Sequence, residues 1–320
     1  MDTQNLTTNV VEEQVERALT NVNASPMNNL YNLQDLQKLE FIKTPKDTPL
    51  FKMLMDKGAV QARSIHFEWD EAILDPLFSS ALYDGYTYNS SAEANSTVNR
   101  GENWISALHR VARVSGLAQS VETVDGNAMN IQTRHQYMNL IRAIEYYLWN
   151  GDHGASVLQM NGVVTLVTTA IANGGGVLLE AKLQEAIIQM IDEGLEPTDV
   201  FASPVVCYVI ANYSEKRIRY DSVDSVQGGT GARAFFYNTP FGYTVKVNPV
   251  RTTFIPTGTV YVLDMECSTL RHTTDNVINS KPVGTNAVDG MAVAFTAYVS
   301  LELKAKEKHR VITGVAEALA

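Results

Sequence analysis

The feature that most constrains this chain is a long gap between two strand-like runs. Val60 to Trp69 alternates imperfectly, with Ile65, Phe67 and Trp69 set against Ser64, His66 and Glu68, and reads as a strand. Arg110-Val111-Ala112-Arg113-Val114-Ser115-Gly116 reads as a second, returning strand. Between them, residues 70–109 are polar, dotted with Tyr83, Tyr86 and Tyr88, and carry few helix signals. A connection this long is uncommon in a compact domain unless it serves something outside it. The simplest reading is a two-stranded excursion over residues 60–115. A lone ribbon of that kind buries its own faces poorly and needs a neighbour to lie on.

The flanks of this excursion have more ordinary signals. Residues 1 to about 30 are polar, with an Asn-rich stretch from Asn21 to Asn29, and read as an extended arm holding one short helix over Val10 to Leu19; a disordered tail is the alternative. Thr48 followed by Pro49 predicts the N-cap and first position of a short helix with Leu50, Phe51 and Leu54 inward, ending near Gly58. The longest helix is expected over about 127–149, where Tyr137, Leu140, Ile141, Ile144 and Leu148 form a stripe, and Gly151 suits a left-handed terminator. A helix of that length is a rod of about 34 Å, suited to a spine.

Beyond the rod the pattern is mixed. Val163 to Thr169 is β-prone, Asn173-Gly174-Gly175-Gly176 is a break, and a second helix over 177–193 presents Leu179, Leu183, Ala186, Ile187 and Met190 on one face. Asp199 to Ala202 predicts a short strand, and Ser203-Pro204 caps a third helix. Paired strands over 232–247, a strand at Val260 to Asp264 and a well-alternating strand from Met291 to Leu303 complete an α+β chain.

Composition narrows the class. With 45% apolar residues the chain folds, and with 19% charged residues it falls below the roughly 25% of soluble proteins, as a surface covered by partners would. Its 25 Lys and Arg against 35 Asp and Glu give a net charge of -10, which argues against bulk attraction to nucleic acid. The two cysteines, Cys207 and Cys267, sit in apolar segments and read as buried thiols. Neither a signal-peptide pattern nor an 18-residue apolar run is present, so synthesis and solubility in a cytoplasm are expected.

Chemistry has few candidates. His66 and Glu68 share a strand face, but no third metal ligand is evident. His109 and His135 are isolated, and His153 beside Asp152 lacks an accompanying nucleophile. Neither Gly174-Gly175-Gly176 nor Gly228-Gly229-Thr230-Gly231 has phosphate-loop spacing. No cofactor, metal or catalytic residue is therefore assigned, and the chain is not expected to be an enzyme. Two basic groups, Arg100, His109, Arg110 and Arg113, and Lys304, Lys306, Lys308, His309 and Arg310, read either as solvated charge or as salt links between subunits, with Glu68, Asp70 and Glu71 as an acidic counterpart.

This order of elements resembles the major capsid proteins of tailed bacteriophages, the Hong Kong 97 phage-type fold. The stretches that carry the likeness are Thr44-Pro45-Lys46-Asp47-Thr48-Pro49-Leu50-Phe51, Phe67-Glu68-Trp69, Asn103 to Gly116, Glu145 to Gly151 and Gly194-Leu195-Glu196-Pro197-Thr198-Asp199. The resemblance implies an N-terminal arm (1–44), the start of a peripheral domain (45–59), an extended β-hairpin loop (60–115), a peripheral domain with the spine helix (116–155), an α/β axial domain (156–270) and a return to the peripheral domain (271–320). It implies an icosahedral head shell of hexamers and pentamers around double-stranded DNA contacted non-specifically, located in the virion and made in the host bacterial cytoplasm. A separate scaffolding protein and a portal protein are the expected partners, a decoration protein is possible, and no membrane is involved. Trp69, Tyr83, Tyr86, Tyr88, Arg100, Arg110 and Arg113 are the expected intersubunit contacts. A tail or connector subunit, or an enzyme with an unrecognised site, are the alternatives.

Overall fold

A computed structural model describes residues 48–73, 97–120, 128–215, 235–283 and 290–317. In chain order these hold helix α1 (Pro49–Lys57), strands β1 (Val60–Gln61), β2 (His66–Ile73), β3 (Thr97–Trp104) and β4 (Ser106–Ser115), and helices α2 (Gly116–Ser120), α3 (Ala128–Asn150) and α4 (Val163–Leu166). They continue with β5 (Ala170–Ala172), α5 (Glu180–Asp192), β6 (Asp199–Ala202), α6 (Pro204–Glu215), β7 (Phe235–Asn238), β8 (Thr244–Pro249) and β9 (Val260–Leu263). The last elements are β10 (Ser268–His272), β11 (Ile278–Val283), β12 (Gly290–Leu303) and β13 (Arg310–Thr313).

The alternation of β12 places Phe295, Ala297, Val299, Leu301 and Leu303 on one face, and that face is buried. β4 runs antiparallel along one side of β12, while β10 and β11 share the other side and β1 adds to β10 in parallel. The rod α3 lies across β4 and β12, pressing Leu140, Ile144 and Leu148 onto Ala112, Phe295 and Ala297. The predicted spine is thus the observed one, 23 residues long.

The second sheet has six strands in the order β5-β13-β9-β6-β8-β7. Its two central strands, β6 and β9, are buried on both faces, and their alternation divides their side chains between two cores. Val200, Ala202, Val260 and Val262 pack with Leu183, Ala186, Ile187 and Met190 of α5 and Val206 and Ile210 of α6. Phe201, Tyr261 and Leu263 point the other way and join Trp149 at the end of α3. Trp149 is fully buried, with ring centroids 5.3 Å from Phe201 and 5.5 Å from Tyr261, and so joins the rod to the second sheet.

Several local expectations change in the structure. Of the run Arg110 to Gly116, expected to return the excursion, Arg110 to Ser115 belong to β4 and pair with β12, and Gly116 opens α2, so among the described residues the free ribbon is β2–β3. Val163 to Thr169 is not a strand: Val163–Leu166 is a single helical turn, because Val163, Leu166 and Val167 are pulled into the core beside Trp149 and burial overrides β-propensity. Gly151 is not in the left-handed region; it is required because any Cβ there would strike the Met160 carbonyl. Leu179 is exposed and precedes α5, whose inward face begins at Leu183. Neither Thr48 nor Ser203 caps its helix through its side chain: Thr48 makes no such bond, and the buried Ser203 hydroxyl has no hydrogen-bond partner. The predicted arm helix over Val10 to Leu19 and the glycine run 228–231 lie outside the described residues.

Candidate functional site

β2 and β3 pair antiparallel from His66↔Trp104 to Ile73↔Thr97, with no third strand on either side among the described residues. Period-2 alternation gives this ribbon two faces. One carries His66, Glu68 and Asp70 opposite Trp104, Glu102 and Arg100. The other carries Phe67, Trp69 and Glu71 opposite Asn103, Gly101 and Asn99.

The second face fixes the ribbon to the body. Trp69 is buried against Gly101, and its indole N–H donates to Glu71 Oε1 at 2.7 Å. The same oxygen accepts the Ala305 backbone N–H at 2.8 Å, in the turn between β12 and β13. Asn103 is fully buried, and its amide is saturated. It donates to the Leu301 carbonyl at 2.6 Å and the Asn161 carbonyl at 3.0 Å, and accepts from the Trp104 and Asn161 N–H groups. Gly101 has no side chain because the indole occupies that space. We therefore expect Gly101→Ala to displace Trp69, cost about 1–3 kcal/mol by overpacking, red-shift the tryptophan emission and speed proteolysis of the ribbon. Unchanged emission and cleavage would show that the Trp69–Gly101 contact does not hold the ribbon.

The expected contact residues fall in different settings. Trp69 is buried within its own chain, and Arg100 is tied to Glu68 at 3.0 Å and Asp70 at 3.2 Å on the ribbon's exposed face. Arg110 and Arg113 are exposed on β4. Tyr83, Tyr86 and Tyr88 lie outside the described residues. The second basic group is largely engaged inside the chain: Arg310 is buried against Gln189 and Glu193 at the end of α5, and Lys308 donates to the Glu193 carbonyl at 2.7 Å.

Buried ionisable groups have structural partners. Glu145, on α3, reaches the start of α1 and accepts the Leu50 N–H at 3.2 Å and the Phe51 N–H at 2.7 Å, while Trp149 Nε1–H donates to it at 3.0 Å. It supplies the cap that Thr48 does not. Burial raises its pKa to about 7. The sequence signal was an acid inside the apolar stripe, between Ile144 and Leu148. Burial also raises Asp199, which accepts a 2.7 Å bond from Asn248, and pushes the buried Cys207 thiol up to about 12; Cys267, expected to be buried, is half-buried, and partial burial with Asp264 beside it pushes its thiol up to about 11. At the other end of α1, Lys57 Nζ donates to the carbonyls of Met265, Glu266 and Ser268. Among the described residues no helix is long and apolar enough to cross a membrane.

A sheet crossed by a long helix, a second sheet with helices packed on one face, and a two-stranded ribbon leaving the first make a specific arrangement. The profile of the SU10 major capsid protein family matches residues 10–316, nearly the whole chain. The chain belongs to that family. No curated protein matches it. Solved structures share this fold at low identity. The capsid asymmetric unit of cyanophage A-1(L) has a TM-score of 0.63 at 11% identity, over 89% of this chain and 97% of that one. The capsid of Myoviridae phage XM1 gives 0.59 at 13%, over 89% and 97%. The SrpI encapsulin of Synechococcus elongatus PCC 7942 gives 0.57 at 14%, over 90% and 97%. This member of the SU10 major capsid protein family therefore has the α+β fold of Hong Kong 97 phage-like shell proteins, a fold that capsids and encapsulins share.

Proposed function

We propose that this chain is the major capsid protein of a tailed bacteriophage, building the icosahedral head that encloses the double-stranded DNA genome, and that it acts through assembly and not catalysis. The match to a major capsid protein family across residues 10–316 carries this reading. The β2–β3 ribbon supports it physically: it leaves the body with one face pinned by Trp69, Glu71 and Asn103 and the other exposed beyond the Trp104–His153 stack at its root, as a loop laid over a neighbouring subunit requires. In this reading β2 to β3 form the extended loop, the sheet under α3 is the peripheral domain, and the six-stranded sheet with α5 and α6 is the axial domain. Hexamers and pentamers then gain strength from many modest contacts repeated by symmetry. A separate scaffolding protein directs closure, a portal protein takes one vertex, and DNA is held by shape and local charge without sequence reading.

The test is electron microscopy of the chain expressed alone and with its genomic neighbours. Closed uniform shells or hexamer sheets are expected. Rings, tubes or persistent monomers would overturn the reading. Nuclease-treated shells that absorb as nucleic acid place the genome inside; shells that hold a protein cargo and no DNA would instead favour an encapsulin-type role.

A further inference from the structure

The exposed face of the ribbon brings together three groups whose donor set goes beyond salt bridging. His66 and Glu68 lie two residues apart on β2, and Glu102 faces Glu68 directly from β3. One ligand atom from each lies within 4.8 Å of the other two. His66 Nε2 is 3.1 Å from Glu102 Oε2, and its Nδ1 is 3.8 Å from Glu68 Oε1. Like charges directly opposite across paired strands repel; Arg100 offsets Glu68 at 3.0 Å, and Glu102 has His66 beside it at 3.1 Å.

The ligands are also held from behind. Arg100 takes Glu68 Oε2 at 3.0 Å and leaves Oε1 facing His66. The His66 ring packs on Trp104 at 4.8 Å, and Trp104 is stacked on His153 at 3.9 Å with planes 5° apart. The His153 ring is in turn fixed by a 3.0 Å bond between Nδ1 and the Gln159 carbonyl. Outer partners of this kind fix the imidazole; a cation takes a single ring nitrogen, so the exposed Glu68 side chain, which lies beside Nδ1, turns toward Nε2 and Glu102 when a metal binds. We infer that His66, Glu68 and Glu102 form a site for a divalent d-block cation, Zn2+ in the first instance, which staples β2 to β3 where the ribbon leaves the body. One imidazole nitrogen and two carboxylates suit Zn2+, whereas Mg2+ and Ca2+ take oxygen ligands. The cation's charge adds to that of Arg100 in offsetting Glu68, Glu102 and the neighbouring Asp70, and a water completes the coordination. A two-stranded ribbon is marginal on its own, so a cross-strand bond at its root is where a metal stabilises it most.

The test uses the untagged full-length chain, stripped with EDTA and desalted, then titrated calorimetrically with Zn2+ and separately with Mg2+. One Zn2+ per chain is expected, with no comparable Mg2+ binding. Glu102→Gln and Glu68→Gln should each weaken Zn2+ binding at least about tenfold, and His109→Gln should leave it unchanged. Ni2+ should quench tryptophan emission through Trp104 in the wild type and much less in Glu102→Gln. Circular dichroism of the metal-free variants checks that they fold. Should a variant fail that check, Co2+ added to the wild type gives an independent reading: a visible absorption band abolished by Zn2+ is expected. The absence of saturable Zn2+ binding, binding that folded Glu102→Gln retains at full strength, or no cobalt band would overturn the proposal.

Discussion

Replacing Trp149 with alanine is expected to lower the stability of the subunit by roughly 3–5 kcal/mol, the range for deleting a large buried aromatic side chain. The position is costly for three reasons. The ring is fully buried and fills the space between the rod and the second sheet, against Phe201 and Tyr261. Its N–H donates to the buried Glu145 carboxyl, which would lose one of its three donors. It also stands where Gly162 approaches the helix end, since a Cβ on Gly162 would lie 2.6 Å from the Trp149 carbonyl, so the surrounding backbone has little room to collapse into the cavity. Trp149→Phe separates these effects. It keeps most of the apolar volume and removes the hydrogen bond, and should cost about half as much as the alanine variant. Thermal melts of unassembled subunits measure both, and electron microscopy should show few closed particles for Trp149→Ala. Equal destabilisation by the two variants would mean that the hydrogen bond, and not the packing, dominates.

Elements whose signal is local were legible in the sequence. The α3 stripe of Leu140, Ile144 and Leu148, the alternation of β12, and the Gly194 stop after α5 each state their structure within a few residues, and each is observed. What failed depended on partners distant in the chain. Nothing near Arg110 to Ser115 says that it pairs with residues 290–295 and not with the excursion. Val163 to Thr169 has β-branched residues whose burial beside Trp149 imposes a helical turn. At the ribbon, His66 and Glu68 were visible as two ligands on one face, but Glu102 becomes the third only through the β2–β3 register. Asn103 and Gly101 were invisible for the same reason, because their constraints come from Leu301, Asn161 and the Trp69 ring. The ends of α1 show the contrast most directly. Pro49 and Gly58 mark the helix correctly, yet its cap comes from Glu145, 95 residues after Leu50.

That cap makes the subunit's stability depend on pH in a defined direction. Glu145 has its pKa raised from 4.5 to about 7, mainly because burial penalises the charged form, with the bonds from Phe51, Trp149 and Leu50 opposing the rise. A group that holds its proton more tightly when folded stabilises the fold fully below its unfolded pKa. That contribution is lost as pH rises through the folded pKa. The wild-type subunit should therefore lose about 3 kcal/mol from this group between pH 4.5 and pH 7. Glu145→Gln keeps an acceptor oxygen for the α1 N–H groups but cannot ionise. Its melting temperature relative to wild type should rise steadily from pH 5 to pH 8. Glu145→Ala behaves differently. It leaves the Leu50, Phe51 and Trp149 donors buried without an acceptor, at about 1–3 kcal/mol each, so it should be destabilised throughout, and α1 should become accessible to protease. A Gln variant whose offset from wild type stays flat over that interval would mean that Glu145 does not titrate there and that its carboxylate is held by the helix terminus in one charge state.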